Sequence, residues 1–400
     1  VMMILVPITL YRPLPGNLTS STTSDRVTIH ILEPLARIFY YYPTRLCPTA
    51  HCRLHWMRKA SNLLYWAIGP TEDEDSHLLM ETTHWNGVKV RIYYPRDRAK
   101  AESDGAIIYT HGGGFSIWST EIYESLTREL AKQMSTRLFV SIDYRLAPET
   151  VFPGGLEDCE RVLEYVFGNG KAQYGIDPRK VIVMGDSAGG NLAAALAQRR
   201  RTGGAEPKIL GQVLIYPWLQ MSDQQSPSFR YWKREMSQLA FLDPLTLAHF
   251  TLWYAGVNVD ARPEYVEAVT TNRHLMDYTL LPEAFRKDDN FTSMTQENMP
   301  IDQLAEDLTP LLNNPSFAPL MQSNLTDLPP SLVITCEFDI LRDEGVIYAQ
   351  RLKNSGVPTK WVHLDHGFHG MLCIHSKLDV AQDAISDIKE WTMNLLREAE

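Results

Sequence analysis

The clearest chemistry in the sequence belongs to a serine that stands between two glycines. Ser187 lies in the run Gly185-Asp-Ser-Ala-Gly189, after the apolar stretch Val181–Met184 and before an Ala-rich stretch. A G-x-S-x-G sequence between a strand and a helix is typical of a sharp turn that exposes the serine hydroxyl as a nucleophile. The glycines permit close backbone packing, and the N-terminus of the following helix favours developing negative charge. This setting favours a nucleophilic Ser187 over a merely structural glycine turn.

A second glycine run, His111-Gly-Gly-Gly-Phe115, follows the apolar stretch Ala106–Thr110. Consecutive glycines let backbone N–H groups point into a cleft, where they form an oxyanion hole together with the N–H after the nucleophile. The predicted oxyanion donors are the N–H groups of Gly113, Gly114 and Ala188. His111 and Gly112 complete the motif of this loop, and we expect His111 to order the loop rather than to act as the base.

A serine nucleophile needs a base, and the base needs an orienting carboxylate. For a serine in this setting the chain order is Ser, acid, His. Asp339 follows the apolar stretch Leu332–Thr335 and is the predicted acid. Asp343 and Glu344 are rivals, but they fall at the start of the next predicted helix, where acidic residues suit the helix dipole.

Several histidines lie downstream of the predicted acid, at His363, His366, His369 and His375. His369 stands in the predicted loop after the last strand, where it is free to reach the serine, and His366 is the alternative base. The H-x-x-H-x-x-H spacing suits zinc poorly, because the first histidine is on a strand and Gly367 interrupts a helix. No nucleotide-binding glycine motif is present either, so we predict neither a metal nor a cofactor.

The elements that position these residues alternate along the chain from about residue 86. Short apolar runs separated by amphipathic stretches are typical of an α/β protein with a mostly parallel central sheet flanked by helices. The predicted strands are Val88–Tyr94, Ala106–Thr110, Leu138–Asp143, Val181–Met184, Gln212–Tyr216, Leu332–Thr335 and Trp361–Leu364. The predicted helices are Glu121–Met134, Ser187–Arg199, Arg342–Asn354 and Val380–Leu396.

Two segments interrupt the alternation. Residues 1–85 are predicted to be irregular or helical, and residues 220–328, here called the cap segment, separate two strands by far more than one crossover needs. We interpret the cap segment as a helical insertion over the carboxyl ends of the strands, within a catalytic domain of residues 86–400. Its many aromatic residues fit an ordinary core or the apolar roof of a pocket equally well.

Composition limits the classes of partner. The chain has 400 residues with 38 Lys+Arg and 48 Asp+Glu, a net charge of −10, which argues against a nucleic-acid partner. Its five cysteines are too few for a disulfide scaffold. No stretch of about 20 apolar residues is present, and nothing indicates an oligomeric state. Residues 1–11 are apolar and uncharged, which fits either the tail of a trimmed signal peptide or membrane anchor, or a buried N-terminal segment.

Taken together, these motifs resemble those of the hormone-sensitive-lipase group of α/β-hydrolases. The similar stretches are His111–Phe115, Asp143-Tyr-Arg-Leu-Ala-Pro-Glu149, Phe152-Pro153, Leu156-Glu-Asp158 and Gly185–Gly190. Glu337–Gly345 and Asp365–Gly370 are similar more narrowly to arylacetamide deacetylase and its near relatives. The resemblance covers roughly residues 80–400.

The resemblance implies an α/β-hydrolase fold and a hydrolase of small apolar esters and amides. It also implies a triad of Ser187, Asp339 and His369, with His111–Gly114 as the oxyanion loop. It further implies association with the endoplasmic reticulum membrane through the N-terminus, with the catalytic domain in the lumen. There the sequons, at Asn17, Asn290 and Asn324, would be glycosylation acceptors. One departure is Ser116: the deacetylase has a cysteine after H-G-G-G that pairs with the one before the acid, so Cys336 lacks that partner here.

Two alternatives remain open at this stage. Within the enzyme class, the alternative is a neutral lipid or cholesteryl-ester hydrolase. Outside it, the alternative is a non-catalytic small-molecule receptor on the same fold, as in the plant gibberellin receptors, which resemble this group but lack the catalytic histidine. The complete set of serine, acid and histidine in this sequence favours the enzyme.

Overall fold

A sheet of eight strands organises the part of the chain that the structure, a computed structural model, describes. The described residues are 22–68, 78–204, 206–221, 223–237, 239–271, 276–286 and 304–399. The strands are β1 (Leu78–Trp85), β2 (Val88–Pro95), β3 (Ser103–Thr110), β4 (Thr136–Ile142), β5 (Val181–Asp186), β6 (Gly211–Ile215), β7 (Ser331–Phe338) and β8 (Thr359–Phe368).

The strands lie in the order β1-β2-β4-β3-β5-β6-β7-β8. From β4 to β8 every neighbouring pair is parallel, whereas β1 and β2 are antiparallel additions at one edge. The central strands are buried on both faces, and for that reason their sequences read as continuous apolar runs. The prediction of a mostly parallel α/β sheet is confirmed.

Strand β1 corrects the prediction that residues 1–85 are irregular or helical. Leu78–Trp85 pairs with β2 along its whole length, with Trp85 opposite Val88. From Glu81 to His84 the strand is polar and mostly exposed, so it contains no long apolar run. The signal that could have found it is Asn86-Gly87, whose φ angles of 46° and 82° form the tight turn of the hairpin.

Helices cover the sheet and fill the long connections. They are α1 (Thr23–Ala36), α2 (Tyr42–Leu46), α3 (Ala50–Ile68), α4 (Glu124–Met134), α5 (Gly154–Tyr174), α6 (Ala188–Thr202), α7 (Pro227–Tyr231), α8 (Pro244–Tyr254), α9 (Glu264–Thr271), α10 (Glu283–Arg286), α11 (Leu304–Leu312), α12 (Arg342–Asn354) and α13 (Asp379–Glu398). Each predicted helix is present, and α12 has the predicted bounds.

The cap segment contributes α7 to α11, between β6 and β7. The N-terminal helices contact it directly: the Ala50 and His51 N–H groups, at the start of α3, donate to the Asp260 carboxylate over 2.5 and 3.2 Å. Negative charge at a helix N-terminus is stabilising, so this contact fixes where α3 begins. The two segments that interrupt the strand pattern therefore pack against each other.

Among the described helices, none has both the length and the apolar character needed to cross a bilayer. The apolar residues 1–11 and the sequons at Asn17 and Asn290 lie outside the described residues. Asn324 is described and exposed, and its side-chain oxygen accepts from the Thr326 N–H over 2.9 Å.

Candidate active site

Ser187 sits on a tight turn between β5 and α6. Its φ and ψ are 55° and −122°, a region that a non-glycine residue occupies only when its surroundings enforce it. The Ser187 N–H donates to the Ile215 carbonyl over 2.9 Å, which holds the turn against β6. A Cβ on Gly189 would lie 2.0 Å from the Thr110 carbonyl oxygen, so only glycine permits this approach to β3.

The acid and the base each follow a strand on the same side of the sheet. Asp339 comes directly after β7 and His369 directly after β8, and the last residues of these strands, Phe338 and Phe368, are paired. Since β3, β5, β7 and β8 run in parallel, the residues after their carboxyl ends gather at one edge.

A continuous chain of hydrogen bonds joins the three side chains. His369 Nε2 lies 2.8 Å from Ser187 Oγ, and His369 Nδ1 lies 2.8 Å from Asp339 Oδ2. The Asp339 side chain is fully buried, and its Oδ1 accepts from the Leu341 N–H over 2.9 Å. Because a carboxylate only accepts, Nδ1 carries the proton, which leaves Nε2 free to accept the serine proton.

The rival residues have other contacts. His363 lies 3.1 Å from Glu337 Oε2 and 3.0 Å from Thr335 Oγ1, and His375 Nδ1 lies 3.1 Å from the Leu372 carbonyl oxygen. His366 is within β8, before the turn that carries His369. Across the described residues, no three His, Cys, Asp or Glu side chains gather as metal ligands.

Asp343 and Glu344, the other candidates for the acid, form hydrogen bonds with the part of the chain that follows β6. Both lie in the first turn of α12, as predicted. Asp343 Oδ2 accepts from the Ser228 N–H over 2.7 Å, and Glu344 Oε1 accepts from the Leu219 N–H over 2.6 Å. Burial raises the pKa of Glu344 well above its ordinary value. These carboxylates fasten the segment after β6 to α12 rather than joining the serine.

The glycine loop after β3 is the predicted oxyanion loop, and its backbone is in a conformation that favours glycine. Gly113 and Gly114 have φ angles of 104° and 58°, and a Cβ on Gly114 would lie 2.1 Å from the Phe250 ring. In the described part of the chain, the N–H groups of Gly113, Gly114 and Ala188 have no recorded protein acceptor. They are available to a ligand oxygen, as an oxyanion hole requires.

Asp186, next to the serine, ties this loop to the turn. It is buried, with Oδ1 accepting from the Gly112 N–H (2.9 Å) and Tyr109 hydroxyl (2.8 Å), and Oδ2 from the Tyr123 hydroxyl (2.8 Å). Burial raises its pKa, while the two tyrosine hydrogen bonds oppose that change. Asp186 was not among the residues predicted from the sequence, although its place between Gly185 and Ser187 was the available signal.

His111 orders the loop from inside. Its ring stacks on Tyr144 with centroids 4.4 Å apart, and the Tyr144 hydroxyl donates to the His111 carbonyl over 2.8 Å. His111 Nδ1 lies 2.7 Å from the Gly112 carbonyl oxygen. Burial lowers the pKa of His111, which favours the neutral ring. These contacts tie the His111 ring and backbone to Tyr144 and Gly112.

Arg58, on α3, holds the other end of the loop. Its Nε donates to the Ser116 carbonyl over 2.9 Å and its Nη2 to the Ala147 carbonyl over 3.0 Å. The guanidinium also forms two hydrogen bonds with Glu149, of 2.7 and 2.8 Å, which lower the pKa of that carboxyl. The Ser116 N–H in turn donates to the Gly113 carbonyl over 3.0 Å. No local sequence signal pointed to this contact.

We expect Arg58→Lys to lower kcat by about tenfold with little change in KM. The guanidinium spreads four hydrogen bonds over three nitrogens, and the three N–H donors of an ammonium, all on one nitrogen, cannot reproduce them. The figure is below the ~100-fold cost of losing an oxyanion donor outright, since Arg58 acts through the loop. Initial rates on a soluble aryl acetate measure this change in kcat. Glu149→Gln is the matched control and should change kcat less than about threefold, because Glu149 is mostly exposed. Wild-type kcat in Arg58→Lys would exclude this positioning role.

Comparison of this chain with known proteins identifies its family. A model of the alpha/beta hydrolase fold family matches residues 107–285 and 282–373. Rabbit (Oryctolagus cuniculus) arylacetamide deacetylase is 34% identical over 91% of this chain and 90% of its own length. Mouse (Mus musculus) neutral cholesterol ester hydrolase 1 is 32% identical over 79% of this chain and 80% of its own. The structure of a hyperthermophilic esterase from the archaeon Pyrobaculum calidifontis is similar with a TM-score of 0.63 and 27% identity, over 90% of this chain and 97% of that one.

The chain belongs to the α/β hydrolase fold family and is a serine ester hydrolase. Within that family it falls in the arylacetamide deacetylase-like branch of the hormone-sensitive-lipase group, which confirms the resemblance noted from its motifs.

Proposed function

We propose that the chain cleaves carboxylic esters and aryl amides through an acyl-enzyme on Ser187, with His369 as general base and Asp339 orienting it. The observation that carries this proposal is the unbroken hydrogen-bond chain from Ser187 Oγ through the imidazole to the buried carboxylate. A receptor on the same fold would not need these hydrogen bonds between the serine, the imidazole and the carboxylate. The enzyme is therefore favoured over the non-catalytic alternative.

The proposed reaction has two halves. Ser187 Oγ attacks the substrate carbonyl while His369 Nε2 takes its proton, and the N–H groups of Gly113, Gly114 and Ala188 stabilise the oxyanion. His369 then gives the proton to the leaving alcohol or amine. A water molecule, activated by the same imidazole, releases the acid and restores Ser187. No step requires a cofactor.

The side chains around the site support an uncharged, apolar substrate. The Phe250 ring from α8 abuts Gly114. The Tyr216 ring lies 5.0 Å from the His369 ring, and Phe241 packs at the same distance against Phe368, the neighbour of that histidine. Apolar walls bind by removing apolar surface from water and give a substrate carboxylate no partner.

Not every aromatic residue of the cap segment serves this purpose. Tyr254 stacks between Phe115 and Phe317, with ring centroids 3.9 and 5.0 Å away. Phe152 packs edge-on against both Tyr254 and Phe317. These buried rings are ordinary core, and they join the cap segment to the residue after the oxyanion glycines. Phe250 is the better candidate for a pocket wall.

We expect kcat/KM to rise along a series of aryl esters from the acetate upward, until the pocket is full. Each buried methylene contributes about 0.8 kcal/mol, or roughly fourfold in kcat/KM. The measurement is initial rates for the series beside matched substrates that carry a carboxylate. Equal or better turnover of the charged substrates would contradict the apolar pocket.

The same panel separates the second candidate, a neutral lipid ester hydrolase, which the similarity to neutral cholesterol ester hydrolase supports. For this purpose, aryl acetamides and cholesteryl esters are added to the series of aryl esters. A kcat/KM that keeps rising to the sterol ester favours the lipid hydrolase. A maximum at short acyl chains together with amide cleavage favours the deacetylase.

We also propose that the enzyme works at the endoplasmic reticulum membrane with its catalytic domain in the lumen. The relationship to the deacetylase branch supports this location. Asn324, an exposed sequon that an oligosaccharyltransferase can reach, is consistent with it. Glycosylation of Asn324 in the secretory pathway is the measurement that checks it.

A further inference from the structure

Cys47 and Cys52 lie side by side at the corner between α2 and α3. Cys47 directly follows α2, and Cys52 lies in the first turn of α3. Their Sγ atoms are 2.6 Å apart, closer than unbonded sulfur atoms normally pack and within reach of the S–S bond of about 2.05 Å. The two thiols are therefore already in the position from which a disulfide forms.

Contacts that do not involve sulfur hold the two cysteines in these places. The Cys52 N–H donates to Thr49 Oγ1 over 3.0 Å, which caps the first turn of α3. The Ala50 N–H donates to Asp260, in the cap segment, over 2.5 Å. Cys47 has left the helix, with φ and ψ of −65° and 124°. Because the corner is defined without the sulfur atoms, closing the bond needs little movement of the backbone.

The other cysteines do not offer such a pair. Cys159 and Cys336 are fully buried, and burial raises the pKa of both thiols well above its ordinary value, which makes them unreactive. Cys47 and Cys52 are both half-buried, so a small oxidant can reach them. In the part of the chain that the structure describes, which includes all five cysteines, no other two cysteine sulfur atoms are in contact.

One side of this corner leads to the oxyanion loop through α3. That helix carries Arg58, six residues after Cys52. Arg58 Nε donates to the Ser116 carbonyl over 2.9 Å, and the Ser116 N–H donates to the Gly113 carbonyl over 3.0 Å. A shift at the start of α3 would therefore reach the backbone of a proposed oxyanion donor.

The other side leads to the same loop through α2. Arg45, two residues before Cys47, places its Nη2 3.2 Å from Asp243 Oδ1. Asp243 caps α8, because the same oxygen accepts from two N–H groups of the first turn over 3.0 and 3.1 Å. Helix α8 carries Phe250, whose ring abuts Gly114. The two cysteines thus join the two helices that approach the oxyanion glycines by separate routes.

We propose that Cys47 and Cys52 form a disulfide in an oxidising compartment, and that this bond braces the corner between α2 and α3 on both routes to the oxyanion loop. The effect on hydrolysis rests on the proposed function, whereas formation of the bond does not. A cross-link across so short a loop constrains the unfolded chain little compared with a long one. Its main effect is local, because it keeps α2 and α3 from separating when the corner opens.

Glutathione disulfide is a sufficient oxidant for this step. One cysteine thiolate attacks a sulfur of glutathione disulfide, which forms a mixed disulfide and releases one glutathione. The second cysteine, as a thiolate, attacks the protein sulfur of the mixed disulfide and releases the second glutathione. The two protein thiols lose two electrons and two protons, and glutathione disulfide takes them up to become two glutathione thiols.

The test compares the full chain in an oxidising glutathione buffer with the same chain in dithiothreitol, each then denatured and labelled with N-ethylmaleimide. The chain has five cysteines, so we expect five labels after reduction and three after oxidation. The tryptic peptide 46–53 contains both cysteines of the pair. In the oxidised sample it should carry no label and be two hydrogen atoms lighter than the unlabelled reduced peptide.

Cys373→Ser is the matched control for labelling, because Cys373 lies outside the pair. It should take up one label fewer than the wild type in each buffer and leave peptide 46–53 unchanged. Labelling of both cysteines in peptide 46–53 after oxidation would show that they remain hydrogen-bonded thiols, and it overturns the proposal.

The bracing role is tested by kcat on a soluble aryl acetate in the two redox states. We expect reduction to lower kcat about threefold with little change in KM, less than the effect of Arg58→Lys, because Arg58 keeps its own hydrogen bonds. Cys47→Ser combined with Cys52→Ser should match the reduced wild type in both buffers. Equal kcat for the oxidised and reduced wild type overturns the bracing role. Absence of hydrolysis in every sample, with the disulfide present in peptide 46–53, would contradict the proposed function and confirm the bond.

Discussion

Ser187→Ala is expected to lose hydrolysis almost completely, with kcat lower by a factor of about 10⁴–10⁶. The alanine keeps the backbone turn but offers no hydroxyl for His369 to deprotonate, so no acyl-enzyme can form. The variant should also fail to react with an organophosphate that labels the wild-type chain. Initial rates on an aryl acetate and intact mass after labelling measure the two effects.

Ser355→Ala, at the end of α12 and away from the site, is the control and should behave like the wild type. A chelator should have no effect on either protein, because no step of the proposed reaction uses a metal. Full activity in Ser187→Ala, or loss of wild-type activity on chelation, would falsify the serine mechanism. An unchanged melting temperature in Ser187→Ala shows that the loss is chemical.

His369→Ala should approach the loss seen for Ser187→Ala, because the imidazole both takes the serine proton and returns it to the leaving group. His366→Ala should be much milder, since the structure places His369, and not His366, 2.8 Å from Ser187 Oγ. The comparison is decisive because the two histidines are only three residues apart. An inactive His366→Ala beside an active His369→Ala would reverse the assignment.

The double variant Ser187→Ala/His369→Ala gives a second test. Groups that act as one unit lose their effect together, so the double variant should be little worse than Ser187→Ala alone. Free-energy costs that add fully would mean that the two residues work independently. That outcome contradicts a shared proton transfer.

Local patterns in the sequence determined the catalytic class and most of the sheet. The run Val181–Met184, followed by Gly185-Asp-Ser-Ala-Gly189, specifies a buried strand and a tight turn within a dozen residues. Helix α12 begins and ends where its amphipathic pattern predicts. Such signals are readable because burial on both faces of a parallel strand and the steric needs of a turn are properties of a short segment.

Features that depend on contacts between distant segments were not readable. Arg58 reaches carbonyls at Ser116 and Ala147, and nothing in the residues around it indicates that contact. Strand β1 is stabilised by pairing with β2 rather than by an apolar run of its own. Asp25 on α1 is buried because its carboxylate accepts from the Asp379 N–H at the start of α13, more than 350 residues later.

The choice between His366 and His369 shows the same limit at the candidate site. The sequence pattern predicted that this strand ends at Leu364, which left both histidines in the loop after it. In the structure β8 runs to Phe368, opposite Phe338 of β7, so His369 is the first residue of the turn and meets Asp339 beyond the end of β7. The residue types needed for the chemistry were thus evident from the sequence. Which of them meet was decided by strand register, because register depends on pairing between segments that lie far apart in the chain.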